Sequence, residues 1–212
     1  GVNLCWSAPV RDPRLLCFPH VVRGAYNVAA MMSSSGASLE WASRSLSEKP
    51  GDVDALLREV QAVPAGAGGL LFLPFLAAER FPVWDPRMRG AFVGLALQHG
   101  RREMARAVVE SGGFTARGVL AAMQAAGCQP AELRVSGGQA RVPAWCQIRA
   151  DVTGRKVLVP EQEESDLVGA ACVALSGLED FDSPAAAAES LVRIEKTYSP
   201  EASRAGLYAE MF

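Results

Sequence analysis

The sequence predicts an α/β protein in which a mixed sheet is flanked by helices. Short apolar segments separated by Pro, Asp, Arg and Gly occupy the start of the chain, and strand-like and helix-like segments alternate after residue 130. Such an alternation is typical of parallel strands joined by helices that pack on the faces of the sheet. With 212 residues, the chain is long enough to bury a substantial core as one large domain or two small ones.

The first 63 residues predict three antiparallel strands and two helices. We expect the strands to form a small meander. Ser33–Ser35 and Gly36 then open a helical pattern, and a helix cap is the default interpretation of these serines. A second helix is expected at Val53–Val63, where aliphatic residues recur on one face. The expected strands are Asn3–Ser7, Leu15–Phe18 and Ala25–Met32.

The rest of the chain predicts a long helix followed by alternating strands and helices. The long helix, from about Arg102 to Ala126, contains three glycines that each cost about 1 kcal/mol relative to Ala, which indicates close packing or a break. After residue 178 we expect only a helical tail, beginning at Pro184. The remaining expected strands are Leu70–Leu76, Ala91–Leu97, Leu133–Ser136 and Lys156–Val159, and the remaining helices are Pro143–Val152 and Asp166–Leu178.

Composition excludes several classes of function. Half of the residues are hydrophobic, 21% are charged and the formal net charge is −2, so the chain lacks the basic character of a nucleic-acid-binding protein. Its longest apolar runs fall short of the roughly 18–20 residues that cross a membrane. The five cysteines include no C-x-x-C pair, so neither disulfides nor a zinc site are expected, and a reducing cytoplasm fits best.

Gly137 and Gly138 stand where an expected strand ends and a helix begins. Glycine permits a sharp turn and close approach of a ligand, and the first amides of the next helix can hold a phosphate or ribose. A simple turn is the commoner interpretation of such a pair. The sequence contains neither G-x-G-x-x-G with its acidic partner nor G-x-x-x-x-G-K-[ST], so the two most frequent phosphate-binding motifs are absent.

Other charged residues have two interpretations each. Glu79 and Arg80 lie in a loop rich in Pro and aromatic residues, where they form either a solvated ion pair or part of a cleft. His20 and His99 are far apart in sequence and are expected to be structural or surface residues. The acidic group of Glu161, Glu163, Glu164 and Asp166 resembles a carboxylate site, but it is better explained by the dipole of the following helix.

Five segments together resemble the C-terminal domain of the FGGY carbohydrate kinases, from about Met32 to Leu178. The most specific match is the segment from Gly90 to Glu110, which is similar to that family's C-terminal signature at nearly every position. The five segments, in chain order, are SSSGASLEW, GGLLFLPFLAAERFPVWDPRMRGAFVGL, EMARAVVES, VSGGQARVPAWCQIRADVTGRKV and EESDLVGAACVAL.

The resemblance implies a ribonuclease-H-like fold of the actin, hexokinase and sugar kinase type. Residues 1–212 would form the C-terminal, nucleotide-binding domain. A further domain, expected upstream, would supply most of the sugar pocket and the catalytic aspartate. No catalytic residue is therefore expected in this chain, which alone should be inactive. The implied cofactors are ATP and Mg²⁺, the implied partner is a small sugar, and a homodimer is left open.

The resemblance also implies roles for individual residues. Gly36 would lie near the ATP phosphates, and Glu40 one turn later would contact the nucleotide. The adenosine-binding loop would comprise Gly137, Gly138, Gln139, Ala140 and Val142.

Three positions depart from the family pattern: Gln139 and Ala78 replace glycines, and Asp166 replaces a small residue. An exposed Asp166 at a helix start would be harmless, whereas a buried one beside phosphates would repel them.

The acceptor sugar follows only from the segment around Glu79 and Arg80, which is similar to xylulokinases and gluconokinases rather than to glycerol kinases. We expect D-xylulose, with gluconate as the nearest alternative. A catalytically silent relative that binds sugar or nucleotide is an alternative of a different class, because of the departures at Gln139 and Asp166.

Overall fold

The computed structural model describes all 212 residues, and it contains eight strands and seven α-helices. The strands are β1 (Val2–Trp6), β2 (Leu16–Pro19), β3 (Tyr26–Ala30), β4 (Leu71–Leu73), β5 (Ala91–Val93), β6 (Leu133–Arg134), β7 (Val157–Pro160) and β8 (Ile194–Tyr198). The helices are α1 (Ser35–Leu46), α2 (Val53–Gln61), α3 (Arg101–Ala125), α4 (Pro143–Thr153), α5 (Ser165–Gly177), α6 (Pro184–Leu191) and α7 (Ala202–Met211).

The N-terminal strands are antiparallel as expected, but the predicted meander is wrong. β3 lies between β1 and β2, with Leu4 and Cys17 both opposite Val28. β3 is the most buried of the three strands, and its last three residues are at most 1% exposed. The central strand of a sheet satisfies its backbone groups on both sides and suits buried residues.

The C-terminal region also differs from the expected helical tail. α6 is followed by β8, which runs antiparallel to β7, and only then by α7. β6 and β7 are parallel, so this sheet is mixed, as the sequence predicted for the chain as a whole. The segment IEKTY adds to the sheet because its Ile, Thr and Tyr are β-branched or aromatic residues, which favour strands.

α3 forms the centre of the main core. It packs against α1, α2, α4 and β4, and a cluster of 17 buried hydrophobic residues surrounds it. The glycines of α3 reflect close packing and not a break, because a Cβ at Gly113 would come within 2.8 Å of Val152 Cβ on α4. Tyr208 brings α7 into the same core. None of the helices has the length and apolar character needed to cross a bilayer.

Candidate functional site

The β3–α1 turn leaves the first amides of α1 without a side-chain cap. Ser34 is the N-cap residue, but its Oγ accepts a hydrogen bond from the Ala77 amide at 3.1 Å and none from α1. The expected role of the serine run as a helix cap is therefore wrong for this residue. Gly36 is exposed in the first turn of α1, with open space where a Cβ would lie, and no acidic residue occupies that turn.

The Gly137–Gln139 segment is a short 3₁₀ turn between β6 and α4. Gly137 has a φ of 71°, in the left-handed region that favours glycine, and its amide donates to the Glu163 carbonyl at 2.9 Å. Gly138 is exposed with open space around it. Ala140 is buried, and Val142 immediately precedes Pro143, the first residue of α4.

The structure brings these two turns together through one direct contact. Gln139 Nε2 donates a hydrogen bond to Ser35 Oγ at 3.2 Å, across 104 residues of chain. Gly36 therefore lies beside the Gly137–Gln139 turn. Glu40 lies one helical turn beyond Gly36 and is exposed. Two glycine-containing turns and the start of a helix thus share one surface.

Glu79 and Arg80 do not form the solvated ion pair that is one interpretation of the sequence. Glu79 is only 1% exposed, and its Oε1 accepts hydrogen bonds from the backbone amides of Ser33 at 3.0 Å and Arg80 at 2.7 Å. The exposed Arg80 guanidinium lies 5.5 Å from the ring centroid of Trp84. Glu79 is thus attached to the β3–α1 turn from the inside of the protein.

The acidic group before α5 is spread over a surface and does not converge. Asp166 is exposed in the first turn of α5, where a carboxylate suits the helix dipole. Glu163 pairs with Arg141 at 2.6 Å. No three His, Cys, Asp or Glu side chains come close enough to hold a metal ion.

Arg149, on α4, lies close to the predicted site, although the sequence did not predict it there. Its guanidinium lies 5.3 Å from the Trp145 ring, and its Nε is buried without a hydrogen-bond partner. Burial lowers the pKa of Arg149. A Cβ at Gly112 would be 3.8 Å from this guanidinium and 3.7 Å from Ser35 Oγ, so both groups flank Gly112. In the sequence, an arginine at helical spacing from a tryptophan gives no signal that its Nε will be buried.

Two large cavities lie near these turns. One of about 820 Å³ lies between α2 and the start of α4, and Val142 is the only predicted site residue that lines it. Another of about 650 Å³ is lined by Ser136 and Asp166. His20 also lines the second cavity, but its Nδ1 accepts a hydrogen bond from the Val22 amide, which agrees with the expected structural role.

Residues 7–178 match the model of the C-terminal domain of the FGGY family of carbohydrate kinases. This chain belongs to that family. The match covers all of the segments on which the sequence resemblance depends, and the fold predicted from that resemblance is confirmed.

Proteins named xylulose kinase and gluconokinase are similar to the chain along most of its length. Xylulose kinase of Staphylococcus epidermidis is 29% identical over 201 residues, which is 95% of this chain and 40% of that protein. Gluconokinase of Bacillus subtilis is 37% identical over 131 residues, 61% of this chain and 26% of that protein. The structure of ligand-bound xylulose kinase from Lactobacillus acidophilus superimposes with a TM-score of 0.91 at 26% identity, over 99% of this chain and 42% of that one. The chain thus spans less than half the length of these relatives.

Proposed function

We propose that this chain is the ATP-binding part of a carbohydrate kinase that transfers the γ-phosphate of ATP to a sugar hydroxyl. The observation that carries the proposal is the uncapped start of α1 beside the Gly137–Gln139 turn. Free amides and the positive end of a helix dipole favour a phosphate at such a place. Membership of the FGGY family supplies the class of reaction.

Each residue that the sequence predicts to bind the nucleotide has a defined part in this proposal. Gly36 lets phosphate oxygens approach the α1 amides, because no side chain covers them. Glu40 is exposed along α1 from Gly36 and is available to the nucleotide's polar groups. Gly137, Gly138, Gln139 and Ala140 form the turn against which the adenosine would lie, and Val142 lines the adjoining cavity.

Phosphoryl transfer depends on alignment of the sugar hydroxyl with the γ-phosphate and on stabilisation of charge. We assign nucleotide binding and orientation to this chain, and the catalytic aspartate and most of the sugar pocket to the rest of the enzyme, so the isolated chain would be inactive. Mg²⁺ would arrive with the nucleotide phosphates, because it keeps several waters and needs one or two carboxylates rather than a protein cage.

D-Xylulose is the acceptor we propose, because relatives named xylulose kinase align with more than 90% of the chain. Gluconate is the alternative, supported by the higher local identity to a gluconokinase. A non-catalytic nucleotide-binding role is a second candidate, because the Gln139 side chain reaches across to Ser35 where a glycine would leave the space open. All five cysteines are free, which suits a cytoplasmic enzyme.

The activity is tested by ADP release from the full-length enzyme with ATP and Mg²⁺, using xylulose, ribulose, gluconate, glycerol and no sugar. Release that depends on one sugar identifies the kinase and its acceptor. Nucleotide binding without any sugar-dependent release would favour the non-catalytic role.

The site itself is tested by Gly36→Asp, which places a carboxylate at the proposed phosphate position. We expect the KM for ATP to rise about tenfold or more, through like-charge repulsion. Gly206→Asp on α7 is the matched control, because a side chain at either glycine meets open space. Equal KM values in the two variants would contradict the placement of the phosphates at α1.

A further inference from the structure

The buried carboxylate of Glu79 has no cationic partner. Its Oε1 accepts three backbone hydrogen bonds, from Ser33, Arg80 and Phe81, and its Oε2 is buried without a partner among the protein atoms. A buried carboxylate without a counter-ion carries a desolvation penalty that an amide or an apolar residue would avoid. Such a residue needs a reason beyond stability.

Three hydrogen bonds, one at each residue, attach the Ser33–Ser35 segment to two other parts of the protein. The Ser33 amide donates to Glu79, the Ser34 hydroxyl accepts from Ala77, and the Ser35 hydroxyl accepts from Gln139. The first two contacts come from the loop around Glu79, and the third reaches the Gly137–Gln139 turn. The segment therefore links the Glu79 loop to both parts of the proposed nucleotide site.

A small cavity connects the same groups. It has a volume of about 10 Å³ and is lined by Glu79, Ser34, Ser35 and Thr115, among others. So little space leaves the Ser34 and Ser35 side chains little freedom to change position independently of Glu79. The packing and the hydrogen bonds thus constrain the segment in the same way.

We propose that Glu79 is a positioning residue of the nucleotide site, which holds the Ser33–Ser35 segment so that the start of α1 and the Gly137–Gln139 turn stay in register through the Ser35–Gln139 hydrogen bond. This inference rests on the proposed function, because it assigns to Glu79 an effect on nucleotide affinity without contact with the nucleotide. Hydrogen bonds from amides to a carboxylate are about twice as strong as those to a neutral acceptor, which explains an acid at this position.

The proposal is tested by calorimetric titration of the full-length protein with Mg·ADP. Glu79→Ala removes the acceptor of three amides, and we expect ADP to bind about tenfold more weakly. Glu79→Gln keeps one acceptor oxygen and should restore affinity to within about threefold of the parent. Glu110→Gln is the control for the loss of a buried carboxylate elsewhere: it weakens the contact with Arg106, but Glu110 lies outside the site, so ADP affinity should stay unchanged.

A double-variant cycle tests the route from Glu79 to the Gly137–Gln139 turn. If Glu79 acts through Ser35 and Gln139, the losses in Glu79→Ala and Gln139→Ala will not add in the double variant. Additive losses, or parent-like ADP affinity in Glu79→Ala, would overturn the proposal.

Amide hydrogen exchange provides a readout that needs neither ADP nor the alanine variant. We expect Glu79→Gln to speed exchange selectively at residues 33–36 and 137–140, whereas faster exchange in Glu110→Gln should include α7, which the Glu110 cluster fastens. Faster exchange confined to 33–36 would overturn the proposed link. If the parent protein fails to bind ADP, the proposed function fails, and exchange still decides whether Glu79 constrains the Gly137–Gln139 turn.

Discussion

Charged side chains inside the protein have ionic partners in one region of the core and lack them in another. In the first region, Arg106 Nε donates a hydrogen bond to Glu110 at 2.5 Å. The buried Tyr208 hydroxyl accepts a hydrogen bond from Arg106 and donates one to Glu110. In the second, beside the proposed nucleotide site, Glu79 has no cationic partner and Arg149 has no carboxylate partner. Burial by itself would lower the pKa of Arg106, but Glu110 and Tyr208 raise it, whereas burial lowers the pKa of Arg149.

The difference separates a structural cluster from a region under another constraint. The Arg106–Glu110–Tyr208 cluster fastens α7 to α3, and Glu110 also accepts from the Gly66 amide at 3.0 Å. Around Glu79 and Arg149, charged side chains with buried atoms lack ionic partners next to the surface where we place the nucleotide. Charged groups in such environments concentrate at functional sites.

The largest expected effect is that of Glu110→Ala, which breaks the paired cluster. Arg106 would remain buried without its carboxylate, and removing one partner of a buried pair costs about 3–5 kcal/mol. We expect the free energy of unfolding in urea to fall by that amount. A loss below about 1 kcal/mol would show that the cluster does not fasten α7.

Arg149→Met should change stability in the opposite direction. A methionine fills similar space without the buried Nε that lacks a hydrogen-bond partner, so the free energy of unfolding should rise by about 1–2 kcal/mol despite the lost contact with Trp145. Arg58→Met is the control, because the Arg58 side chain is 65% exposed and its replacement should change stability by less than about 0.5 kcal/mol. A destabilised Arg149→Met would mean that Arg149 has a partner within the folded protein.

Tyr208→Phe should have the smallest effect and a distinctive pH dependence. Burial, followed by the nearby Glu110, raises the pKa of Tyr208 above its ordinary value near 10. The stabilisation by its hydroxyl is therefore complete below pH 10 and is lost as pH rises beyond it, because the unfolded chain ionises first. At pH 8 we expect a loss of about 1 kcal/mol on substitution.

Urea titrations at several values between pH 8 and pH 11 check this dependence. The difference between the parent and Tyr208→Phe should narrow above pH 10. A constant difference across the range would contradict the assigned pKa direction.

The sequence predicted the elements whose pattern is local. α2 and α3 begin and end within one or two residues of expectation, because apolar periodicity and helix signals are properties of the segment itself. β8 was missed because IEKTY shows no apolar alternation and becomes a strand only by pairing with β7. The central position of β3 likewise depends on tertiary burial.

The site was predicted unevenly for a similar reason. The resemblance grouped Gly36 with Gly137 and Gly138, and the structure brings the two turns together. The resemblance could not show that Glu79 is buried, because an acidic residue beside an arginine in a loop is usually exposed. Arg149 carried no signal at all, since its environment is created by α3 and α1 from distant parts of the chain.

β8 also forms one edge of the sheet made of β6, β7 and β8. It pairs only with β7, carries the exposed Glu195 and Lys196, and has a register shift opposite Val159 and Pro160. Charges and irregular pairing on an outer strand discourage a second molecule from extending the sheet and starting an aggregate. A protein shortened before residue 194 would expose the apolar edge of β7 instead, and its solubility would depend on how quickly that edge found another strand.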